Sequence, residues 1–346
     1  MTTFRDSPEK EASYSSFLYR QLFVHPSAVA HKDVSLHGKI AIITGSNGGL
    51  GFECARQLLD LGLSKLIIAV RNEAKGKKAS AELSAGRALK TGAIEVWKLD
   101  LSSCDSVLAF AERARTLERL DVVVLNAGLN KLTFSLNPST GHEESIQVHY
   151  LSNTLLLMLL LPIIKAKRQQ GKPGRKVLIS SDRAAWAPFK EKYTAERLLT
   201  AMDQPESFDL WDRYSTSKLL GLLFLVKLAK RVPPSVVVVN APNPGYCYGS
   251  RLGRETAGVV KLVGDAMARI FGRSTPIGAR VIAHAVVRAG EDSHGQYIGD
   301  CELKAMAPMI YTTEGQKLAQ QLWRETMDEL SFAGVEEIVR EVSGLK

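Results

Sequence analysis

The sequence is poor in the features that mark secreted, metal-stapled or membrane-spanning chains. Its four cysteines (Cys54, Cys104, Cys247 and Cys301) lie about 50 residues or more apart, with no CxxC pair. That spacing argues against a disulfide scaffold and against a zinc site, and it fits a reducing, cytoplasmic setting. The sequon-like triplet Asn137-Pro138-Ser139 is disqualified by its proline, so nothing supports secretion. The amino-terminal segment has acidic Asp6, Glu9 and Glu11 and no apolar stretch with a cleavage site, unlike a signal peptide. The greasiest run, Leu155 to Ile164, is half the roughly 20 residues a bilayer requires, so a buried helix is expected and no membrane span. Repeats and low-complexity stretches are absent.

What is present is a core and a basic surface. Hydrophobic residues make up 45% of the 346 and charged ones 23%, enough for a full core and too ordered a balance for a disordered chain. Lys and Arg exceed Asp and Glu by nine. Such an excess attracts nucleic acid, anionic lipid or phosphorylated small molecules. With no aromatic-basic surface motif, a nucleic-acid partner is not expected. Residues Tyr14 to Val24 form an amphipathic arm expected to pack on its own domain.

Short apolar, β-branched runs recur at Lys39–Thr44, Lys65–Val70, Ile94–Leu99, Asp121–Asn126, Lys176–Ser180 and Ser235–Asn240. Helix-length segments separate them, at Leu50–Leu61, Glu73–Leu89, Asp105–Leu120, Glu143–Lys167 and Tyr214–Val232. Near-continuous apolar strands joined by helices indicate an α/β protein with a doubly wound parallel sheet and helices on both faces. Six strands are expected, with Gly295–Gly299 as a seventh and Thr312–Leu330 as a last helix. No linker-like gap divides them, so one domain is expected.

The first strand runs into Thr44-Gly45-Ser46-Asn47-Gly48-Gly49-Leu50-Gly51, and a helix follows. Glycines in that position let the backbone approach a pyrophosphate whose charge rests on the helix amino terminus, as in Rossmann-like folds. Thr44, Gly45, Asn47, Gly49, Leu50 and Gly51 are therefore cofactor-binding candidates. About 20 residues beyond such glycines, an acid usually holds the ribose of NAD. Here the second strand ends instead in Arg71, with Asn72, Lys75, Lys77 and Lys78 behind it. A guanidinium clamps a 2′-phosphate and an acid repels one, so the expected cofactor is NADP, with Arg71 and Lys75 near its phosphate.

The order of motifs resembles the short-chain dehydrogenase/reductase family. Its turn reads TGxxxGxG, matched by Thr44, Gly45, Gly49 and Gly51, although Gly48 makes the same octet fit the TGxxGxxG of the extended, sugar-nucleotide-modifying branch. Asp100-Leu101 matches the family's adenine contact, and Asn126-Ala127-Gly128 its NAG, which lines the cofactor cleft. Ser180-Ser181 matches its paired serines, with Ser181 chosen as the substrate's hydroxyl. Tyr214 and Lys218 match its YxxxK, and Pro244-Gly245 its PG turn. The resemblance implies a carbonyl or alcohol substrate whose oxygen meets Ser181 and Tyr214. Four residues apart on a helix, Lys218 and Tyr214 share a face. An ammonium about 4 Å from the phenol, at an effective dielectric of ~20, would lower its pKa of ~10 by up to ~3 units.

The resemblance also divides the chain into an arm (1–37), a Rossmann-type domain (38–330) and a tail (331–346). Within the domain lie an insert (182–213), whose Trp186, Phe189, Tyr193, Phe208 and Trp211 are the expected pocket wall, and a substrate lid (246–273). Long inserts are typical of retinol-dehydrogenase-like and fungal members. Phe17-Leu18-Tyr19-Arg20-Gln21-Leu22-Phe23-Val24 before Pro26 looks like the start of fungal members, many of which tailor secondary metabolites. Helices Leu151–Ile164 and Leu219–Leu228 resemble those that build family homodimers, and both also fit core burial.

One position departs from the pattern. Where the family carries the asparagine of a proton relay, this chain reads Val148-His149-Tyr150-Leu151-Ser152-Asn153. Either His149 takes the relay, with a step in the pH profile near 6.5, or Asn153, which shares its helix face, or a rearranged water path does so. No other histidine stands at a metal-ligand spacing from His149, so no metal is expected. Three readings follow: an NADP-dependent oxidoreductase, a dinucleotide-binding pseudoenzyme serving as sensor or scaffold, and an extended-branch epimerase or dehydratase.

Overall fold

The computed structural model describes residues 4–193, 196–250, 252 and 258–344. Five parallel strands, β1 (Ile40–Thr44), β2 (Lys65–Val70), β3 (Ile94–Lys98), β4 (Val122–Leu125) and β5 (Gly174–Leu178), lie within two residues of their expected starts. They continue through β6 (Val237–Asn243) to an edge hairpin described below. β1 pairs with β2 on one side and β4 on the other, setting Ile42 opposite Ile67 and Val123. β1, β4 and β6 are buried along their whole lengths, because helices cover both faces and each side chain must be apolar whichever way it points.

The eight-stranded sheet runs β10-β9-β6-β5-β4-β1-β2-β3, with a separate pair of β7 (Cys247–Tyr248) and β8 (Arg273–Ser274). The expected seventh strand is β9 (Tyr297–Gly299); the eighth, antiparallel β10 (Glu302–Lys304), was not expected. Its three residues are polar at both ends. Its turn uses Asp300 and Cys301 at φ 53° and 69°, without the glycine that usually advertises a tight hairpin. Helix Thr275–Val287, which packs on the turn helix Gly49–Asp60, also escaped the sequence pattern, since its valines and isoleucines read as strand.

Among the described residues, one helix, Glu144–Lys167, is long and apolar enough to cross a bilayer; 94% of its apolar window is buried inside the fold, as in a core helix. Its first turns are wound as π-helix over Gln147–Leu151. Helix Val335–Ser343, with Val335 and Val342 buried, packs on Ser152–Lys167, and Thr313–Glu329 packs on Leu210–Ala229. The two helices expected to offer homodimer faces are therefore covered by the chain's own carboxy-terminal helices.

The arm folds as helices Pro8–Ala12 and Tyr14–Phe23, divided by Ser13, whose hydroxyl caps the second. Buried Arg20 pairs with Glu11 at 2.9 Å, Asp182 at 2.8 Å and Asp300 at 3.7 Å, while Arg273 holds Asp300 at 2.6 Å. The network ties the arm to the end of β5, to β8 and to the edge hairpin.

Candidate active site

The glycine turn is built by close approach to β4. Gly45 has φ +66°, and a Cβ there would sit 2.9 Å from the Cα of Ala127; on Gly51 it would sit 2.5 Å from Asn126 Nδ2. The Thr44 hydroxyl accepts the N–H groups of Asn126 and Ala127, both at 2.9 Å, and Asn126 Nδ2 donates to the Thr44 carbonyl at 2.9 Å. These residues hold turn and strand in one rigid corner. Helix Gly49–Asp60 starts from Gly48 with no side chain capping it, so its first N–H groups remain available to an anion. Asn47 and Leu50 are half-buried on the turn.

Asp100 accepts the Ser102 N–H on Oδ1 at 3.0 Å, and the carbonyl of buried Leu101 accepts the Ser152 hydroxyl at 2.5 Å. Arg71 is exposed at the end of β2 and makes no ion pair among the described residues, while Asn72 caps the next helix through the Lys75 N–H. An uncapped helix terminus, and at the end of the adjoining strand a cation with no counter-ion among the described residues, fit a dinucleotide carrying an extra phosphate.

Helix Leu210–Ala229 carries the reacting groups. Asp209 caps it by accepting the Trp211 and Asp212 N–H groups. Lys218 lies with Nζ 5.8 Å from the Tyr214 ring centroid and donates to the Ile179 carbonyl at 3.0 Å. Burial brings its pKa down to about 8. Burial pushes the Tyr214 phenol above its ordinary value, opposed by a hydrogen bond with Ser181 and by the charge of Arg183. The expectation that Lys218 lowers the phenol is thus corrected. Its ammonium is turned to a carbonyl and is itself driven towards the neutral form. Ser181 lies at the phenol; the Ser180 hydroxyl is buried without a partner among the described residues, beside a small cavity lined also by His149, Ser217 and Lys218.

His149 is fully engaged. Nε2 accepts the Leu129 N–H at 2.8 Å, which leaves the proton on Nδ1, 3.0 Å from the Ser217 hydroxyl. Ser217 donates in turn to the Tyr214 carbonyl at 2.7 Å. Gly128 makes room for the ring, since a Cβ there would lie 2.9 Å from Nε2. Burial, reinforced by the charge of Lys218, lowers the imidazole well below 6.5. A ring bonded at both nitrogens and held neutral braces the loop after β4 against the helix as a strut, and in that state it does not titrate near pH 6.5. Asn153 instead fills the π turn, donating to the Val148 carbonyl at 2.7 Å.

After Pro244, Gly245 adopts φ +77°, and a Cβ there would meet Gln21 Oε1 at 2.4 Å. Gln21 donates to the carbonyls of Tyr246 and Phe271 at 2.9 and 3.3 Å, so the arm grips both ends of the expected lid. That lid contains helix Gly258–Phe271; positions 251 and 253–257 fall outside the described residues. The expected aromatic wall is dispersed. Trp186 stacks on Tyr14 at 4.6 Å, Phe189 is in the core, Phe208 meets Phe134 at 5.9 Å, and Tyr193 is exposed. Trp211, 71% exposed, lies under the Arg183 guanidinium at 5.5 Å. Arg183, Arg20 and Gln21 were not singled out by sequence, because nothing local distinguishes an arginine or glutamine whose partner is remote in the chain.

Comparison with protein families matches residues 39–195 to "short chain dehydrogenase". The short-chain dehydrogenase fogG of Aspergillus ruber is 51% identical over 341 residues, 97% of this chain and 98% of the relative. The short chain dehydrogenase/reductase mfmJ of Annulohypoxylon moriforme is 40% identical over 97% of each chain. Among solved structures, the Pseudomonas aeruginosa RhlG/NADP active-site complex superposes with TM-score 0.59 at 23% identity, covering 77% of this chain and 95% of that one.

Proposed function

The chain belongs to the short-chain dehydrogenase family, and on that premise we propose that it is an NADP-dependent oxidoreductase interconverting a carbonyl and an alcohol on a small hydrophobic molecule. The observation that carries this reading is the convergence of Ser181 on the Tyr214 phenol at the end of β5, with half-buried Lys218 on the same helix face. On this reading the two hydroxyls hold the substrate oxygen, and Tyr214 gives or takes its proton. Lys218, with a pKa brought to about 8, exchanges protons near working pH. When bound, the nicotinamide supplies or accepts the hydride.

A bound dinucleotide would lie along Thr44, Gly45, Asn47, Gly49, Leu50 and Gly51, with Asp100 and Leu101 at its adenine. Asn126, Ala127, Gly128, Pro244 and Gly245 line the nicotinamide side. Exposed Arg71, aided by Lys75, favours NADP over NAD. Residues 38–330 act as one catalytic domain, with segments 182–213 and 246–273 on the substrate side, the arm 1–37 packed against it and 331–346 at its end. Four free cysteines support a cytoplasmic setting. The fungal relatives support a place in secondary metabolism.

Turnover of a panel of aldehydes and ketones, followed by the absorbance of the reduced cofactor, tests the reading. Wild type should prefer NADPH, and Tyr214→Phe should lower turnover by about 10² or more while still binding NADPH. Wild-type rates in Tyr214→Phe reject Tyr214 as the acid. NADPH binding with no turnover on any carbonyl favours the pseudoenzyme.

A further inference from the structure

Two residues beyond Ser181, a guanidinium stands by the reacting phenol with no carboxylate paired to it among the described residues. The Arg183 N–H donates to Ser181 Oγ at 3.2 Å, its Nε to Ser215 Oγ at 3.0 Å and its Nη2 to the Trp211 carbonyl at 2.5 Å. Positions 211, 214, 215 and 218 share one helix face. Arg183 is therefore pinned to the amino-terminal turn of the face that carries Tyr214, on the side away from Lys218. Nη1 makes no hydrogen bond to protein among the described residues.

The nearest carboxylates are occupied elsewhere. Asp209 caps the helix through Oδ1, and its Oδ2 lies 3.8 Å from Lys190. Asp182 is taken by Arg20 at 2.8 Å and by Asn243 at 2.7 Å. A half-buried guanidinium is normally matched by an anion, and its planar fork suits a carboxylate or phenolate. Here the fork is half-used, its orientation is set by the helix, and the adjoining indole of Trp211 is exposed as an aromatic platform. The same charge works against burial in holding the phenol's pKa down, which couples the cation electrostatically to the reacting group.

We propose that Arg183, with Trp211, is the substrate anchor of this site, and that the substrate is an aromatic or conjugated carbonyl compound bearing an anionic oxygen, carboxylate or phenolate, near the reacting carbon. The proposal rests on the reading of Ser181 and Tyr214 as the reacting pair and adds a charge requirement to it. Bound in this way, the anionic oxygen faces the guanidinium and the ring lies along Trp211, which leaves the carbonyl oxygen for the two hydroxyls.

Calorimetric titration of the full-length chain with NADP present, using benzoate and benzamide, reads the anchor without turnover, since the two share a shape and differ in charge. Wild type should bind benzoate at least about tenfold more tightly than benzamide, the scale of a charge-assisted hydrogen bond. In Arg183→Met the ratio should fall to about one, and Arg183→Lys should keep part of it, about threefold, as a charge without the fork. Wild-type benzoate binding should also weaken with added salt while benzamide binding does not, a readout that needs no variant to fold. A wild-type ratio near one, or a tenfold ratio surviving in Arg183→Met, overturns the proposal. Carbonyl turnover with no anion preference rejects the anchor alone. Anion preference with no carbonyl turnover rejects the oxidoreductase reading and leaves the anchor standing.

Discussion

Nδ1 of His149 lies 3.0 Å from the Ser217 hydroxyl, and that hydroxyl donates to the Tyr214 carbonyl at 2.7 Å. The imidazole thereby couples the loop after β4, through the Leu129 N–H, to the helical turn that presents the phenol. In this chain a strut stands where the family's relay asparagine would be.

His149→Asn restores the family's residue but is too short to span both partners. Losing one bond leaves a buried polar group unpaired, at a cost of about 1–3 kcal/mol in denaturant unfolding. Turnover should fall with it. Because the imidazole titrates well below 6.5, the wild-type pH profile should carry no step from it between pH 6 and 8. A step near 6.5 that disappears in His149→Asn would return His149 to the relay.

Arg71→Asp turns an attraction for the 2′-phosphate into a repulsion. NADPH binding should weaken by about 2 kcal/mol or more, near thirtyfold, while NADH binding is preserved or improves. Calorimetry of both cofactors decides this, and equal wild-type affinities would reject the NADP assignment.

Arg20 is the hub of the arm's charge network, pairing with Glu11, Asp182 and Asp300. Arg20→Met leaves Glu11 to Lys304, Asp300 to Arg273 and Lys304, and Asp182 to the Asn243 amide, all in a buried setting. Breaking such a network from one side costs about 3–5 kcal/mol. Thermal unfolding should record the loss, and limited proteolysis should cut within the arm. Since Asp182 adjoins Ser181, turnover should fall as well. Unchanged stability would show that the arm is held by its other contacts, the rings on Trp186 and the Gln21 hydrogen bonds.

His142 lies between Asp203 at 2.9 Å and Glu329 at 3.1 Å, and these partners outweigh burial to raise its pKa to about 9. A base with a raised folded pKa stabilises fully below its unfolded value of about 6.5 and loses that contribution as pH rises through the folded one. The stability difference between wild type and His142→Gln should be greatest near pH 6. It should shrink from pH 6.5 upward and vanish above about pH 10. Its size should be roughly 1–2 kcal/mol, reduced because Glu329 is partly exposed. A difference independent of pH would mean that the imidazole acts through packing.

Much of the fold was legible along the chain, because doubly buried strands must be apolar throughout and the turn after β1 needs glycine at fixed places. Strands β1 to β6, the turn from Thr44 to Gly51, Arg71 at the end of β2, and the pairing of Tyr214 with Lys218 on one helix face all follow from local pattern. Short or ambiguous elements did not: β10 has three residues and a glycine-free turn, and helix Thr275–Val287 is written in β-branched residues.

The sequence by itself determined which residues share a strand, a turn or a helix face, since those relations depend only on period and spacing. Tertiary structure alone decided what each side chain meets. The helical period put Lys218 beside Tyr214, yet packing turned its amine to Ile179 and gave the phenol Ser181 and Arg183 as neighbours. Position marked His149 for a relay, and two donor–acceptor partners, 20 residues before it and 68 after it, made it a strut. Nothing along the arm or the carboxy-terminal helices announces what they touch, yet they cover the lid hinges and the expected dimer faces. Hydrogen bonds and charge pairs depend on distance in space, and spacing along a chain does not encode that distance once the partners lie in different elements.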